Sequence, residues 1–237
     1  IIAIVSNPKT GEIVAMGQRP TFHPTTKVGL TDTWRNLAIE ESFEPGSTMK
    51  TFTLAAAVEE GVFNPNESFV AGTYKAGSGK IGDHSGIERG KSMTFLEGVQ
   101  RSSNVAFATL AMDKIGADTF REYLTKFGFD KKTGIDLPNE ITGKIQYKYK
   151  LEKVTTSFGQ GSTVTPIQQI QAASAIANDG KMMRPYVIKS ISDQDTGKVL
   201  KRMSRQPWTP LRGWALQILN SQTCLKGQPA RSNKCWM

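Results

Sequence analysis

Ser47 and Lys50 stand three residues apart at the start of an apolar stretch, a spacing that suits a serine nucleophile and its base. A Pro-Gly pair breaks the chain before them, and residues 48–60 read as a helix that Gly61 ends. Residues i and i+3 share one helix face, with Cβ atoms about 5–6 Å apart. Serine needs an adjacent base. Lysine acts as one near neutral pH only when burial or a second cation lowers its pKa from about 10.4. The pattern predicts covalent catalysis by Ser47.

The helix that would carry both residues is almost wholly apolar, so we expect it to be buried. A lysine at its buried end is unfavourable unless it is paired or neutral. The helix start also offers the backbone N–H of Ser47 and a dipole that favours a developing oxyanion. A structural interpretation stays open for both side chains. Serine is a good N-cap, and the Lys50 amine could reach out to water.

A second polar cluster, Ser102-Ser103-Asn104, interrupts two apolar helical segments at residues 93–100 and 105–112. Taken alone, the cluster is typical of helix N-caps. Residues 67–91, which hold six glycines, read as short strands and loops that form a flap beside the site. The remaining elements follow from periodicity and turn residues. We predict strands at 1–6, 12–16, 186–192 and 198–202, loops at 18–42, 128–153 and 156–161, a helix at 117–127 capped by Asp118, and a helix at 166–178 capped by Thr165.

The composition allows one sizeable core, because 38% of the 237 residues are apolar. The net charge is +9, but no basic stripe interleaved with aromatics indicates nucleic-acid binding. No apolar run approaches 18 residues, so the sequence predicts no membrane span. No Cys/His cluster has metal spacing, and we expect neither metal nor cofactor. The chain begins within a strand pattern, so we expect an excised piece whose anchor or targeting segment lies upstream.

Residues 203–237 differ in composition from the rest. They hold both cysteines and three of the four tryptophans, with five Lys/Arg and no Asp/Glu, which leaves +4 of the net charge on residues 1–202. We therefore predict a folded domain at 1–202 and an atypical tail at 203–237. The hypothesis is that this tail is out of frame, foreign or disordered. An uninterrupted reading frame through residue 203 in related genes would contradict it.

The order S-x-x-K (47–50) then S-x-N (102–104) resembles the first two motifs of the penicilloyl-serine transferases. The flanking F-E-P-G (43–46), T-G-I-D-L-P (133–138) and F-G-Q-G (158–161) resemble the class B penicillin-binding proteins, most closely the division-type enzymes of Gram-positive bacteria. The likeness covers residues 1 to about 202. It implies an α/β (α+β) transpeptidase fold shared with serine β-lactamases. A central antiparallel sheet would pack between helices, incomplete at the C-terminus, with the site between sheet and helical region.

The resemblance also implies a function. Ser47 would attack the D-alanyl-D-alanine bond of a peptidoglycan stem peptide, and an amine of a neighbouring strand would resolve the acyl-enzyme into a cross-link. Lys50 would be the base, Ser102 would pass a proton to the leaving group, and Asn104 would hold Lys50 and the substrate amide; Ser103 receives no role. β-Lactams would acylate the same serine. The implied setting is the extracytoplasmic face of the cell membrane, with membrane proteins of the division machinery as partners.

The chain departs from this family in its third motif, a K-T-G on a sheet strand after S-x-N. Residues 9–11 form a K-T-G in the wrong order, and residues 132–134 form one beside a loop signature. We interpret both as structural. A missing K-T-G strand would remove a cation, a hydroxyl and an oxyanion donor. One such donor is worth about 10²–10³ in rate. We therefore expect this chain to be truncated before the motif and inactive, or nearly so.

Two alternative functions stay open. A class A β-lactamase needs E-x-x-L-N to drive deacylation, and the nearest candidate, Glu140, is followed by I-T-G-K without an asparagine. A non-catalytic scaffold or β-lactam sensor would use the same fold for binding alone, since fold does not fix function.

Overall fold

Helices alternate with short antiparallel strands, as predicted for a mixed α/β fold. The computed structural model describes residues 1–203 and 206–208. Its helices are α1 (Leu37–Glu40), α2 (Met49–Glu59), α3 (Phe95–Gln100), α4 (Asn104–Thr109), α5 (Ala117–Lys126), α6 (Lys150–Thr156) and α7 (Pro166–Ile176). Its strands are β1 (Ile2–Ser6), β2 (Ile13–Gln18), β3 (Ser68–Val70), β4 (Thr73–Ala76), β5 (Gly79–Gly82), β6 (Ser92–Thr94), β7 (Ser190–Ser192) and β8 (Val199–Arg202). A 3₁₀ turn, Gly46–Thr48, precedes α2, and a π-helical segment, Leu110–Gly116, follows α4.

The strands form four separate antiparallel pairs over the described residues: β1–β2, β3–β6, β4–β5 and β7–β8. The antiparallel pairing agrees with the expectation, but the single central sheet does not form within this part of the chain. The β1–β2 pair packs against α1 and α7 through a cluster that includes Ile13, Ile39 and Ile167. Beside the outer face of α7, Ile2, Phe43 and Ile170 line an apolar cleft of about 540 Å³.

Helix α2 lies at the centre of the main core, as its apolar surface predicts. Met49 and Ala56 are fully buried, and the ring of Phe52 lies 4.9 Å from that of Phe129 and 5.1 Å from that of Phe127. Truncating a buried phenylalanine of this kind typically costs about 3–5 kcal/mol. The start of α2 is therefore held rigidly, which matters because Ser47 and Lys50 lie there.

Two short helices lie where the sequence predicts loops. In α1, Asn36 caps the helix by accepting from the backbone N–H of Ala38 at 3.1 Å, and Ala38 and Ile39 are each 1% exposed. In α6, the Glu152 carboxylate accepts from the backbone N–H of Tyr149 at 2.9 Å. Four and seven residues are too few to show a helical period, so only these capping residues could have indicated the helices.

Other boundaries shift by a few residues. Thr94 and Glu97 form a reciprocal capping box that starts α3 at Phe95, so the predicted helix at 93–100 loses its first two residues to β6. Asp118 does not cap α5, because the helix follows directly on the π-helical segment and Gly116 precedes it at φ +89°. The cap at Thr165, with proline at the first position of α7, is confirmed.

Part of the predicted tail packs on the body. The backbone N–H of Trp208 donates to the carbonyl of Met182 at 2.9 Å, and the Trp208 side chain packs on the core cluster around Phe127. Residues 204–205 and 209–237, with Cys224 and Cys235, lie outside the described residues, so the hypothesis about their origin stays a prediction. Within the described part of the chain, no helix is long and apolar enough to cross a bilayer.

Candidate active site

Ser47 lies exposed in the 3₁₀ turn that leads into α2. Thr48 precedes the first residue of α2, and neither the turn nor the helix has a side-chain N-cap hydrogen bond. The N-cap interpretation of Ser47 therefore finds no support. Its hydroxyl instead accepts a hydrogen bond from the Ser102 hydroxyl at 3.2 Å. An exposed serine with a side-chain partner on another element is suited to attack a bound substrate.

Lys50 is buried, with 4% of its surface exposed, so its amine does not reach out to water. It donates to the carbonyl oxygen of Ser102 at 2.6 Å, to the Ser102 hydroxyl at 2.9 Å and to Oδ1 of Asn104 at 2.7 Å. Burial lowers the pKa of Lys50 to about 8, and the negative charge of Asp83 opposes this shift. With that pKa, about one Lys50 in ten is neutral at pH 7. The sequence-based expectation of a base with a lowered pKa agrees with this environment.

The contacts of Lys50 also fix where its lone pair points once it loses a proton. The Ser102 carbonyl and the Asn104 Oδ1 can only accept hydrogen bonds, so they take the two N–H groups of the neutral amine. The lone pair is then left for the Ser102 hydroxyl. Among the hydrogen bonds of the described residues, Lys50 reaches Ser47 through Ser102. The sequence had suggested direct contact between Lys50 and Ser47.

The S-x-N turn separates its three residues by role. Ser102 has φ +55°, a left-handed conformation that costs a non-glycine residue about 1–3 kcal/mol and needs support from its surroundings. Ser103 is fully buried and caps α4 by accepting from the backbone N–H of Ala106 at 3.0 Å. Asn104 donates through Nδ2 to the carbonyl of Gly82 at 3.1 Å. The N-cap interpretation is therefore right for Ser103, while Ser102 and Asn104 meet Lys50.

Gly159, which had no role predicted from the sequence, supports the turn that carries Ser47. Gly159 accepts through its carbonyl from the backbone N–H of Gly46 at 2.9 Å. A Cβ on Gly159 would lie 2.1 Å from the Gly46 carbonyl oxygen, and Gly159 has φ +84°. Nearby, the hydroxyl of Thr53 in α2 donates to the Ser157 carbonyl at 2.7 Å. The glycine-flanked F-G-Q-G loop was the available signal for this close approach.

Both K-T-G tripeptides lie in loops, as the sequence analysis predicts. The Thr10 hydroxyl accepts from the backbone N–H of Glu12 at 3.1 Å in the β1–β2 turn. Thr133 is fully buried and donates to the Glu140 carboxylate through its hydroxyl and its N–H, each at 2.6 Å. Gly134 also donates to Glu140, at 3.0 Å. The Thr133 hydroxyl proton is used by Glu140, Thr10 is buried in a hairpin turn, and Glu140 is occupied by structural donors.

The arrangement contains the parts of an acyl-transfer site: an exposed hydroxyl, a second hydroxyl that bridges it to a buried amine, and a helix start beneath it. The described residues contain no group of three or more His, Cys, Asp or Glu that could hold a metal ion.

Comparison with known proteins agrees with this chemistry. The penicillin-binding protein transpeptidase domain family matches residues 1–210. Stage V sporulation protein D of Bacillus subtilis is 39% identical over 86% of this chain and 32% of its own length. Peptidoglycan D,D-transpeptidase FtsI of Escherichia coli is 30% identical over 83% of this chain and 33% of its own length. This chain thus spans about a third of the length of these curated relatives.

Solved structures of the same kind are similar throughout the described fold. Penicillin-binding protein 2X from Streptococcus thermophilus superposes with a TM-score of 0.79 at 36% identity, covering 86% of this chain and 30% of that one. Penicillin-binding protein 3 from Mycobacterium tuberculosis in complex with ampicillin gives 0.79 at 30% identity, covering 87% of this chain and 46% of that one. This chain therefore belongs to the transpeptidase domain family of the class B penicillin-binding proteins.

Proposed function

We propose that this chain is the nucleophile-bearing part of a peptidoglycan D,D-transpeptidase. The observation that carries the proposal is the hydrogen-bonded chain from buried Lys50 through Ser102 to exposed Ser47. Ser47 attacks the carbonyl carbon between the two D-alanines of a stem peptide. β-Lactams present a strained amide to the same hydroxyl and leave it acylated.

The proton follows the hydrogen bonds. Around the protonated amine, Lys50 donates to the Ser102 hydroxyl, and Ser102 donates to Ser47. When Lys50 is neutral, both hydrogen bonds reverse: Ser47 donates to Ser102, and Ser102 donates to the lone pair of Lys50. Attack by the Ser47 Oγ transfers its proton to Ser102 and the Ser102 proton to Lys50. The oxyanion forms near the Ser47 N–H at the helix start. Collapse of the intermediate breaks the peptide bond, and the terminal D-alanine leaves with a proton from Lys50 through Ser102.

The second half-reaction uses the same groups. The amine of a neighbouring stem peptide attacks the ester carbonyl of acylated Ser47 and loses a proton to Lys50 through Ser102. The ester bond breaks, Ser47 regains its proton, and a new peptide bond cross-links the two strands. Asn104 accepts from the Lys50 amine at 2.7 Å and donates to the Gly82 carbonyl, and the remaining N–H of its amide would contact the substrate backbone.

The cellular setting is also a proposal. Membership of this family and the relative named as a peptidoglycan D,D-transpeptidase support cell-wall synthesis. The resemblance further implies that this synthesis serves division, on the extracytoplasmic face of the membrane and with division proteins as partners. The name of the relative from Bacillus subtilis refers to sporulation, so synthesis of a spore wall is the second candidate for the same chemistry.

We expect this chain to acylate slowly. Neither K-T-G tripeptide is available as a substrate-binding strand in the described residues, and one oxyanion donor alone is worth about 10²–10³ in rate. A fluorescent penicillin should therefore label wild-type protein over hours, and a Ser47→Ala variant should not be labelled. Labelling at the rate of an intact penicillin-binding protein would contradict the expected defect.

Decay of that label separates the competing functions. A transpeptidase-type acyl-enzyme should persist after excess penicillin is removed, because Glu140 is held by three structural donors and no carboxylate is hydrogen-bonded to the Ser47 hydroxyl in the described residues. Turnover within minutes would favour a β-lactamase. A Ser47→Ala gene that still supports growth of its host would favour a scaffold or sensor.

The acylation rate should depend on pH through Lys50. The pKa of Lys50 is lowered to about 8, and only its neutral form accepts the proton from Ser102. The rate should rise about tenfold per pH unit below that value and level off above it. Pseudo-first-order labelling from pH 6 to pH 10, with the fold checked by circular dichroism at each pH, measures the midpoint. A rate that is flat over this range would exclude Lys50 as the base.

A further inference from the structure

The turn that carries Ser102 is held from the side by Asp83, which follows β5. One carboxylate oxygen of Asp83 accepts from the Ser103 hydroxyl at 2.8 Å and from the backbone N–H of Val105 at 3.0 Å. The other oxygen accepts from the backbone N–H of Gly72 at 2.9 Å. Asp83 therefore ties the β4–β5 hairpin to the residues on the C-terminal side of Ser102. A carboxylate that accepts from three such donors is fixed in place.

The two neighbours of Asp83 contact the same turn. The Gly82 carbonyl accepts from the Asn104 amide at 3.1 Å. The His84 Nδ1 accepts from a backbone N–H two residues on, so its Nε2 carries the hydrogen and donates to the Arg101 carbonyl at 2.9 Å. Segment 82–84 thus contacts residues on both sides of Ser102. It supplies the surroundings that a residue at φ +55° needs.

Asp83 also acts on Lys50 through its charge. Burial lowers the pKa of Lys50, and the negative charge of the Asp83 carboxylate raises it. Helices α4 and α7, which pack on α2, carry no charged residue. The π-helical segment and α5, which also pack on α2, carry Asp113, Lys114, Asp118, Arg121, Glu122 and Lys126. Of these, Asp113 accepts from Tyr74, Lys114 pairs with Glu67, and Arg121 pairs with Asp130. Arg101 and His84 lie beside the turn itself.

We propose that Asp83 is a positioning residue for acylation: its carboxylate fixes the 102–104 turn against α2 through its hydrogen bonds to Ser103, Val105 and Gly72. The inference rests on the proposed function and deepens it. Asp83 does not touch the reacting atoms. It sets the distance between the Ser102 hydroxyl and Lys50 by holding the turn in place.

The test compares Asp83→Asn with Ser103→Ala. Asp83→Asn removes the charge and keeps the shape of the side chain. With the amide nitrogen facing Gly72, the hydrogen bond that the Gly72 N–H donates to Asp83 is lost. Ser103→Ala removes a hydrogen bond to Asp83 but keeps the charge. The first readout is the Lys50 midpoint, titrated by NMR of ¹³C-labelled lysine, which does not need activity. The second is the pH profile of penicillin labelling.

In Asp83→Asn the midpoint of Lys50 should fall by about 0.5–1 unit, and the plateau rate above pH 9 should fall about tenfold. In Ser103→Ala the plateau should fall while the midpoint stays within about 0.2 units of wild type. Asp83→Glu, which keeps the charge, should restore the midpoint. A plateau rate within about twofold of wild type in a folded Asp83→Asn protein would overturn the proposal. If wild-type Ser47 is never acylated, the proposed function fails, and the NMR titration still decides whether Asp83 acts on Lys50.

Discussion

Replacing Lys50 by alanine should lower the acylation rate of Ser47 by about 10²–10⁴, the usual contribution of a positioned general base. The physical reason is that Ser102 would lose the group that takes its proton, since no other base contacts that hydroxyl in the described residues. The measurement is pseudo-first-order labelling with a fluorescent penicillin at pH 9, where most wild-type Lys50 is neutral.

Lys50→Arg is the matched control for this prediction. Arginine keeps the positive charge and several donors for the Ser102 carbonyl and Asn104, but it does not deprotonate in proteins. If Lys50 acts as a base, both variants should lose activity to a similar extent. If Lys50 acts only by bonding the turn in place, the arginine variant should keep a rate within about threefold of wild type, and that result would refute its role as base.

Replacing Gly159 by alanine should lower the rate at least tenfold and lower the free energy of unfolding by about 2–4 kcal/mol. The added Cβ would lie 2.1 Å from the Gly46 carbonyl oxygen, a backbone atom that cannot rotate away. Either Gly159 or the turn that carries Ser47 must move. A misplacement of about 1 Å can reduce catalysis by about 10². Urea unfolding and penicillin labelling of the same preparations measure both effects.

Gly161→Ala separates this steric effect from backbone strain. Gly161 has φ +79°, close to the +84° of Gly159, but the nearest atom to its Cβ would be the Thr155 hydroxyl at 3.4 Å. The control should lose about 1–2 kcal/mol from the left-handed conformation and keep its acylation rate. Equal loss of activity in the two variants would mean that the contact between Gly159 and Gly46 does not position Ser47.

The core of the site was predictable from the sequence because its chemistry is local. The i, i+3 spacing of Ser47 and Lys50 places both at one end of an apolar helix, and burial then lowers the pKa of the amine. The resemblance implied that Ser102 passes a proton to the leaving group, but its position between Lys50 and Ser47 was not predictable, because it depends on a left-handed φ of +55° at a serine. Such a conformation is fixed by surrounding contacts and leaves no mark in the residue types.

Asp83 and Gly159 show why the residues that hold a site in place are harder to predict from the sequence than the reacting residues. Each lies far along the chain from the residue it holds, and its contact is made by one carboxylate or one missing Cβ. The fold shows the same limit: the long apolar helix α2 was predicted, whereas four-residue α1 was not. The predicted central sheet is replaced by separate pairs within the described residues, because pairing of strands is decided by long-range contacts.

The most direct test is to locate the acyl group itself. Wild-type protein is incubated overnight with excess benzylpenicillin at pH 9, digested with trypsin and analysed by fragment-ion mass spectrometry. The account predicts one penicilloyl group per chain on the peptide spanning residues 36–50, with the fragment ions placing it on Ser47 and not on Ser42 or Thr48. A chain that stays unmodified, or an adduct on any other residue, would contradict the claim that Lys50 activates Ser47 through Ser102.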